Sequence, residues 1–187
     1  AIGCAEYYIA SGKEEAREYA ESYFDTAYKM YNDLMGSVGK TERYRQVAPS
    51  MIMLSTSQVM RKIDPKYDDI VTEMLDEILN GGNVKDFAML ENVHPDGSFA
   101  DTPDGRLVNP GHSLECAWFL MSEGVRRGDK NIIDKAKRII DVSMELGLKN
   151  NGIIAFCDVK GYPSAALEWD MHIWWPQCEA MIANRLC

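Results

Sequence analysis

Two stretches of the chain concentrate titratable and aromatic side chains at spacings suited to chemistry. The first is Arg106-Leu107-Val108-Asn109-Pro110-Gly111-His112-Ser113-Leu114-Glu115-Cys116-Ala117-Trp118. Pro110 fixes the entry to a helix and Gly111 permits a tight backbone approach, which puts His112 in the first helical turn. There the helix dipole disfavours the imidazolium and leaves a ring able to accept a proton near neutral pH. Glu115, three residues on, shares that face and can orient or charge-tune the imidazole. The same residues also fit plain capping, with Ser113 or Glu115 serving the helix terminus, and an HxxE spacing alone does not separate the two readings.

The second stretch, Glu168-Trp169-Asp170-Met171-His172-Ile173-Trp174-Trp175-Pro176-Gln177-Cys178-Glu179, holds three tryptophans and three carboxylates within twelve residues. Indole faces stack on the C–H faces of pyranose rings, and carboxylates accept hydrogen bonds from sugar hydroxyls, so a carbohydrate pocket is one reading. The other has Trp174 and Trp175 packed between helices while Glu168 and Asp170 stay in water. Two further stretches carry less. Met51-Ile52-Met53-Leu54 is an apolar stripe typical of core, and His94, followed by Pro95-Asp96-Gly97, belongs to an exposed turn. No Cys/His spacing supplies the three or four ligands a zinc ion needs, so no metal is expected. The chain also lacks a P-loop, a GxSxG and a GxGxxG motif.

These residues need elements to position them. Apolar periodicity and breakers predict helices over residues 1–11, 13–34, 47–63, 66–79, 112–127, 131–146 and from about Trp174 onward. Pro49 suits a first turn, and Asp64-Pro65 separates the third helix from the fourth. Between them lie two long connections. Phe87 to Val108, punctuated by Pro95-Asp96-Gly97 and Pro103-Asp104-Gly105, predicts a β-hairpin-like excursion, and 152–170 predicts loop and short strand. Seven helices adjacent in sequence give an all-α class, with function expected in the two long loops.

Composition narrows the function classes. With 187 residues, 46% of them hydrophobic, the chain is long enough for a good-sized core. A net charge of −9 argues against nucleic acid, whose phosphates need a basic surface. No apolar run approaches the roughly 18–20 residues that span a bilayer, so no membrane partner is expected. Ala1 to Ala10 contains Glu6 and two tyrosines and lacks a basic leader, which does not read as a signal peptide. Five cysteines without a CxxC pair, beside eleven methionines, suggest a reducing, cytoplasmic setting. The start without Met, inside a helix, suggests a fragment.

Taken together and in this order, four segments resemble the N-acylglucosamine 2-epimerase (renin-binding protein) family. They are Leu90-Glu91-Asn92-Val93, Asp104-Gly105-Arg106, the run from Asn109 to Leu120, and the run from Leu167 to Ala183. The resemblance covers the whole chain and the middle half of a member. It implies an (α/α)6 barrel, of which this chain supplies about seven of twelve helices, with residues 1–187 forming the central part of a single domain. Its N-terminal and C-terminal parts are then absent from the chain. The reaction implied is the interconversion of N-acyl-D-glucosamine and N-acyl-D-mannosamine. A base removes the C2 proton of the open-chain aldehyde, and an acid on the opposite face returns one.

By the same resemblance His112, in Asn109-Pro110-Gly111-His112, takes one acid/base role with Glu115 as its carboxylate partner. Glu179 and Trp174 match the pattern's glutamate and pocket wall, and Glu168, Met51 and Glu91 complete the expected substrate-contacting set. A second histidine and a substrate-binding arginine belong to segments not matched here, so this chain alone is expected to be catalytically incomplete. Gln177 stands where mammalian-type members carry His, and His172 where they carry Lys, which points to a different sugar preference. Met51 lies where cellobiose epimerases and aldose–ketose isomerases carry a histidine motif, which favours the N-acyl branch. The partners implied are a small amino sugar and either a second copy or the rest of the ring. Half a ring would leave an apolar face far beyond that usual for monomers. No cofactor is required, and ATP enters only as a modulator known from the family. Two other functions fit the same pattern, an aldose–ketose isomerase sharing the enediol and a non-catalytic interaction module.

Overall fold

The computed structural model describes all residues from Ala1 to Cys187. It is mostly helical with short two-residue strands, the class the periodicity predicts. The chain divides into two compact units, Ala1–Leu79 and Asn80–Cys187.

The first unit packs α1 (Ile2–Ser11), α2 (Glu14–Ser37) and α3 (Ala48–Met60) against one another. Gly12, in the left-handed region at φ 69°, ends α1 by returning its N–H to Tyr8. A 3-10 turn at Pro65–Tyr67 then leads into α4 (Asp68–Asn80). Asp64 caps that turn, its carboxylate accepting from the Lys66 N–H at 2.9 Å. The fourth helix therefore starts two residues later than expected, because Pro65 holds the first turn in the tighter form. Along α2 the small residues Ala16 and Ala20 and the ring of Phe24 are buried, and Phe24 meets Tyr67 edge-on at 4.7 Å. Met51 lies in α3 with Leu54 and is also buried, at 1% exposure. No helix is long and apolar enough to cross a membrane.

The second unit is built on α5 (Pro110–Arg127), against which α6 (Lys130–Gly147) and α7 (Trp174–Leu186) pack. Asp129 caps α6 through the N–H groups of Asn131 and Ile132. Val84–Lys85 pairs with Ala88–Met89, and Leu148–Lys149 with Gly152–Ile153, each around a two-residue turn of positive φ at Asp86-Phe87 and Asn150-Asn151.

The expected hairpin over Phe87 to Val108 does not form as such. Leu107–Val108 pairs antiparallel with Cys157–Asp158, a strand from the other long loop. Polar groups add to the pairing. The Val159 N–H donates to the Arg106 carbonyl at 2.9 Å, and the Arg106 guanidinium donates to the Asp158 carboxylate at 2.8 Å. The two long connections are thus one structure, joined across the helices that separate them in sequence.

Candidate active site

His112 sits in the first turn of α5, as the Pro110-Gly111 entry requires. Its own N–H donates to the Asn109 side chain at 3.1 Å, so Asn109 is the N-cap, and neither Ser113 nor Glu115 does that work. The imidazole leans on Trp175, ring centroids 5.3 Å apart. Gly111 makes room for this arrangement. A Cβ there would lie 2.6 Å from the Trp175 ring and 3.0 Å from Pro176, so only glycine lets α7 come this close to the start of α5.

The hydrogen-bonded partner of the ring is Glu91, not Glu115. Nδ1 lies 3.0 Å from one carboxylate oxygen of Glu91 and 3.2 Å from the other. An ionised carboxylate only accepts, so Nδ1 carries the proton and donates it. Nε2 makes no hydrogen bond within the protein and is the nitrogen left for a reacting molecule. Glu91 is itself held in place, since its backbone N–H donates to the Leu107 carbonyl at 2.9 Å. Glu91 thus stands among the expected site residues, but its carboxylate is engaged by the imidazole.

Electrostatics follow from this geometry. Burial alone lowers the His112 pKa, but the hydrogen bond and charge of Glu91, with the charge of Glu115, outweigh it and hold the net value above the ordinary one. The helix dipole, expected to keep the ring neutral, is overridden by two carboxylates. Glu115 also titrates high, first through burial and then through the charge of Glu179, with His112 acting in the opposite sense. Glu179 in turn accepts from the Trp118 indole N–H at 2.6 Å, which fixes it one helix away. His112, Glu91, Glu115 and Glu179 therefore form one electrostatic cluster on α5, α7 and the loop before α5.

Within the second unit, Trp174 and Glu168 stand apart from this cluster. Trp174 is 77% exposed, and its neighbour Trp175 is the one that meets His112. Glu168 is exposed in the turn before Met171, with no contact to the cluster. Met51 is buried in α3 of the first unit, where an apolar stripe belongs. His94 occupies an exposed turn closed by its bonds with Gly97 and Ser98, as its Pro-Asp-Gly sequel predicts.

Gln177 and His172 serve the connection between α6 and α7. The Gln177 amide accepts from the Ile153 N–H and donates to the Ile153 carbonyl, both at 2.8 Å, like the peptide of an added strand. The His172 ring packs on Gly152, where a Cβ would lie 2.9 Å from it. No group of three or more His, Cys, Asp or Glu side chains is placed to hold a metal ion. Two open clefts of about 610 and 630 Å3 border the end of α6, and neither is lined by His112, Glu115 or Glu179.

A family model described as N-acylglucosamine 2-epimerase (GlcNAc 2-epimerase) matches residues 3–186. The chain belongs to the N-acylglucosamine 2-epimerase family. Among its relatives, the N-acylglucosamine 2-epimerase of Bos taurus is 33% identical over 149 residues, and that of Mus musculus 34% over 145. Each match covers 73% of this chain and 34% of the relative, so the chain spans about a third of the length of these proteins.

Two solved structures share the fold. A D-mannose isomerase matches with a TM-score of 0.78 at 17% identity, over 99% of this chain and 52% of its own. A sugar epimerase from a ruminal bacterium matches with a TM-score of 0.69 at 15% identity, over 98% and 52%. The chain therefore has the fold of about half of such a helical barrel.

Proposed function

We propose that this chain carries part of the active site of a sugar 2-epimerase that interconverts N-acyl-D-glucosamine and N-acyl-D-mannosamine, with His112 as one acid/base residue. The observation that carries the reading is the unbonded Nε2 of His112 at the mouth of α5, beside Trp175 and a cluster of carboxylates. Family membership supplies the reaction class.

The chemistry asks for a group that takes and gives a proton at carbon. In the open-chain aldehyde, C2–H is acidified by the carbonyl at C1. Nε2 takes that proton, and the C–H electron pair becomes the C1–C2 double bond as the carbonyl electrons move onto O1. Return of a proton to the opposite face of C2, with collapse of the enediolate to the aldehyde, inverts the centre. The raised pKa of His112 suits both directions, since the imidazolium that forms is held by Glu91 and is a competent acid on the way back. Glu115 adds a second negative charge beside the ring, which stabilises the imidazolium formed when the proton is taken up.

The test is the full-length protein with His112→Asn, given N-acetyl-D-glucosamine in deuterated water. Loss of turnover by about 10²–10⁴-fold, the scale of general acid–base catalysis, supports the role. Deuterium appearing at C2 of the N-acetyl-D-mannosamine formed by the parent enzyme completes the support. Turnover unchanged in the variant removes His112 from the mechanism, and a ketose as sole product assigns the protein to the isomerases instead.

A further inference from the structure

Resting on the reading of His112 as an acid/base residue, we propose that Glu91 is a positioning residue for the reaction, fixing the ring with its proton on Nδ1 and Nε2 toward substrate. Three observations lead there. Both carboxylate oxygens of Glu91 lie within hydrogen-bond distance of Nδ1, and no other side chain bonds that nitrogen. Glu115, the nearer residue in sequence, acts on the ring by charge alone. The side chain of Glu91 is largely buried, 14% exposed, so water competes poorly for it.

The backbone shows how the carboxylate is kept there. Glu91 follows Leu90, which is fully buried with Val93 and Val108 in a small apolar cluster. Its N–H is tied to the Leu107 carbonyl, and Leu107–Val108 is paired with Cys157–Asp158. Asn92 adds a bond from its side-chain amide to the Asp104 carbonyl at 3.0 Å. Glu91 therefore arrives on a fastened loop while His112 arrives on a helix. Their meeting fixes the ring's rotation and tautomer before any sugar enters.

The charged groups around the ring are few. Glu91 faces it from the loop, and Glu115 lies on its own helix. Glu179 on α7 acts through Glu115, and the remaining neighbour on α7 is the uncharged Trp175. Removing the charge of Glu91 while keeping its shape should thus leave the ring with one carboxylate instead of two and no acceptor at full strength on Nδ1.

The experiment labels histidine with 15N in the full-length protein and identifies the His112 signal by its loss in His112→Asn. Above its pKa the ring should show the Nδ1-protonated tautomer. In Glu91→Gln its titration should move to lower pH, and the limb of the kcat–pH profile set by this group should move with it. kcat should fall at least roughly tenfold with KM held, the lower end of the scale on which outer partners of metal-bound histidines act. Glu91→Asp, which keeps the charge, should recover part of the loss. A ring protonated on Nε2 in the parent protein overturns the proposal even if Glu91→Gln fails to fold. So does a His112 titration and pH profile unmoved by Glu91→Gln. If the titration moves but His112→Asn still epimerises, the Glu91–His112 pair stands as structure, and both the catalytic reading and the positioning role built on it fall.

Discussion

Replacing Gln177 by Met keeps the length and volume of the side chain and deletes both ends of its amide. The Ile153 N–H and carbonyl then each lose a 2.8 Å partner, and Ile153 is 2% exposed, so neither group has ready access to water. A hydrogen bond is worth a net ~1 kcal/mol, which sets a floor of about 2 kcal/mol for the pair. Leaving both groups dry raises the cost toward about 4 kcal/mol, at the desolvation penalty of ~1–3 kcal/mol for each. The third bond of the amide, to the Ile173 carbonyl at 3.1 Å, lies within the start of α7 and adds less. Urea unfolding of the two proteins measures the sum, and hydrogen exchange at the Ile153 amide reports the site directly. A loss below about 0.5 kcal/mol, with Ile153 still protected, would refute the view that Gln177 works as a clamp.

Two other outcomes are expected. Gly111→Ala puts a methyl group 2.6 Å from the Trp175 ring, so the protein should lose about 1–3 kcal/mol and change its tryptophan fluorescence as the ring shifts; an unaltered Tm and spectrum would show that the gap is not needed. The pH dependence has a fixed sign, because the folded-state pKa of His112 lies above its unfolded value. Its stabilising contribution is complete below about pH 6.5, the unfolded value, and is lost as pH rises through the folded one. The stability difference between the protein and His112→Gln, measured by urea at a series of pH values, should therefore shrink on going alkaline, and a difference that grows would reverse the assignment.

Much of the scaffold was legible because its signals are local. Pro110 before Gly111, Asp64-Pro65 and the periodicity of α6 mark helix starts and faces with no knowledge of partners. Even the Asn150-Asn151 turn had a readable signature, two residues suited to positive φ, though the loop reading passed over it. What escaped was non-local. Glu115 was the natural partner for His112 at helical spacing, whereas Glu91 reaches it through a loop held by pairing some fifty positions further along. Trp174 and Trp175 differ by one step around α7, and which of them meets His112 is decided by the space at Gly111 on another helix. Gln177 gave a departure from the family pattern but not its bonding role, since the edge of Ile153 left unpaired by the hairpin exists only after the strand Gly152–Ile153 has formed.

The pairing of Leu107–Val108 with Cys157–Asp158 constrains how such proteins can change. A loop exchanged alone from a relative would carry one half of a lock and leave its counterpart facing a stranger. Arg106 and Asp158 are the ionic teeth of that lock, so a transplant that keeps Asp158 without Arg106 strands a charge on a side chain only 4% exposed. Engineering or divergence in this region should then proceed by matched pairs, with both long connections moving as a single cassette.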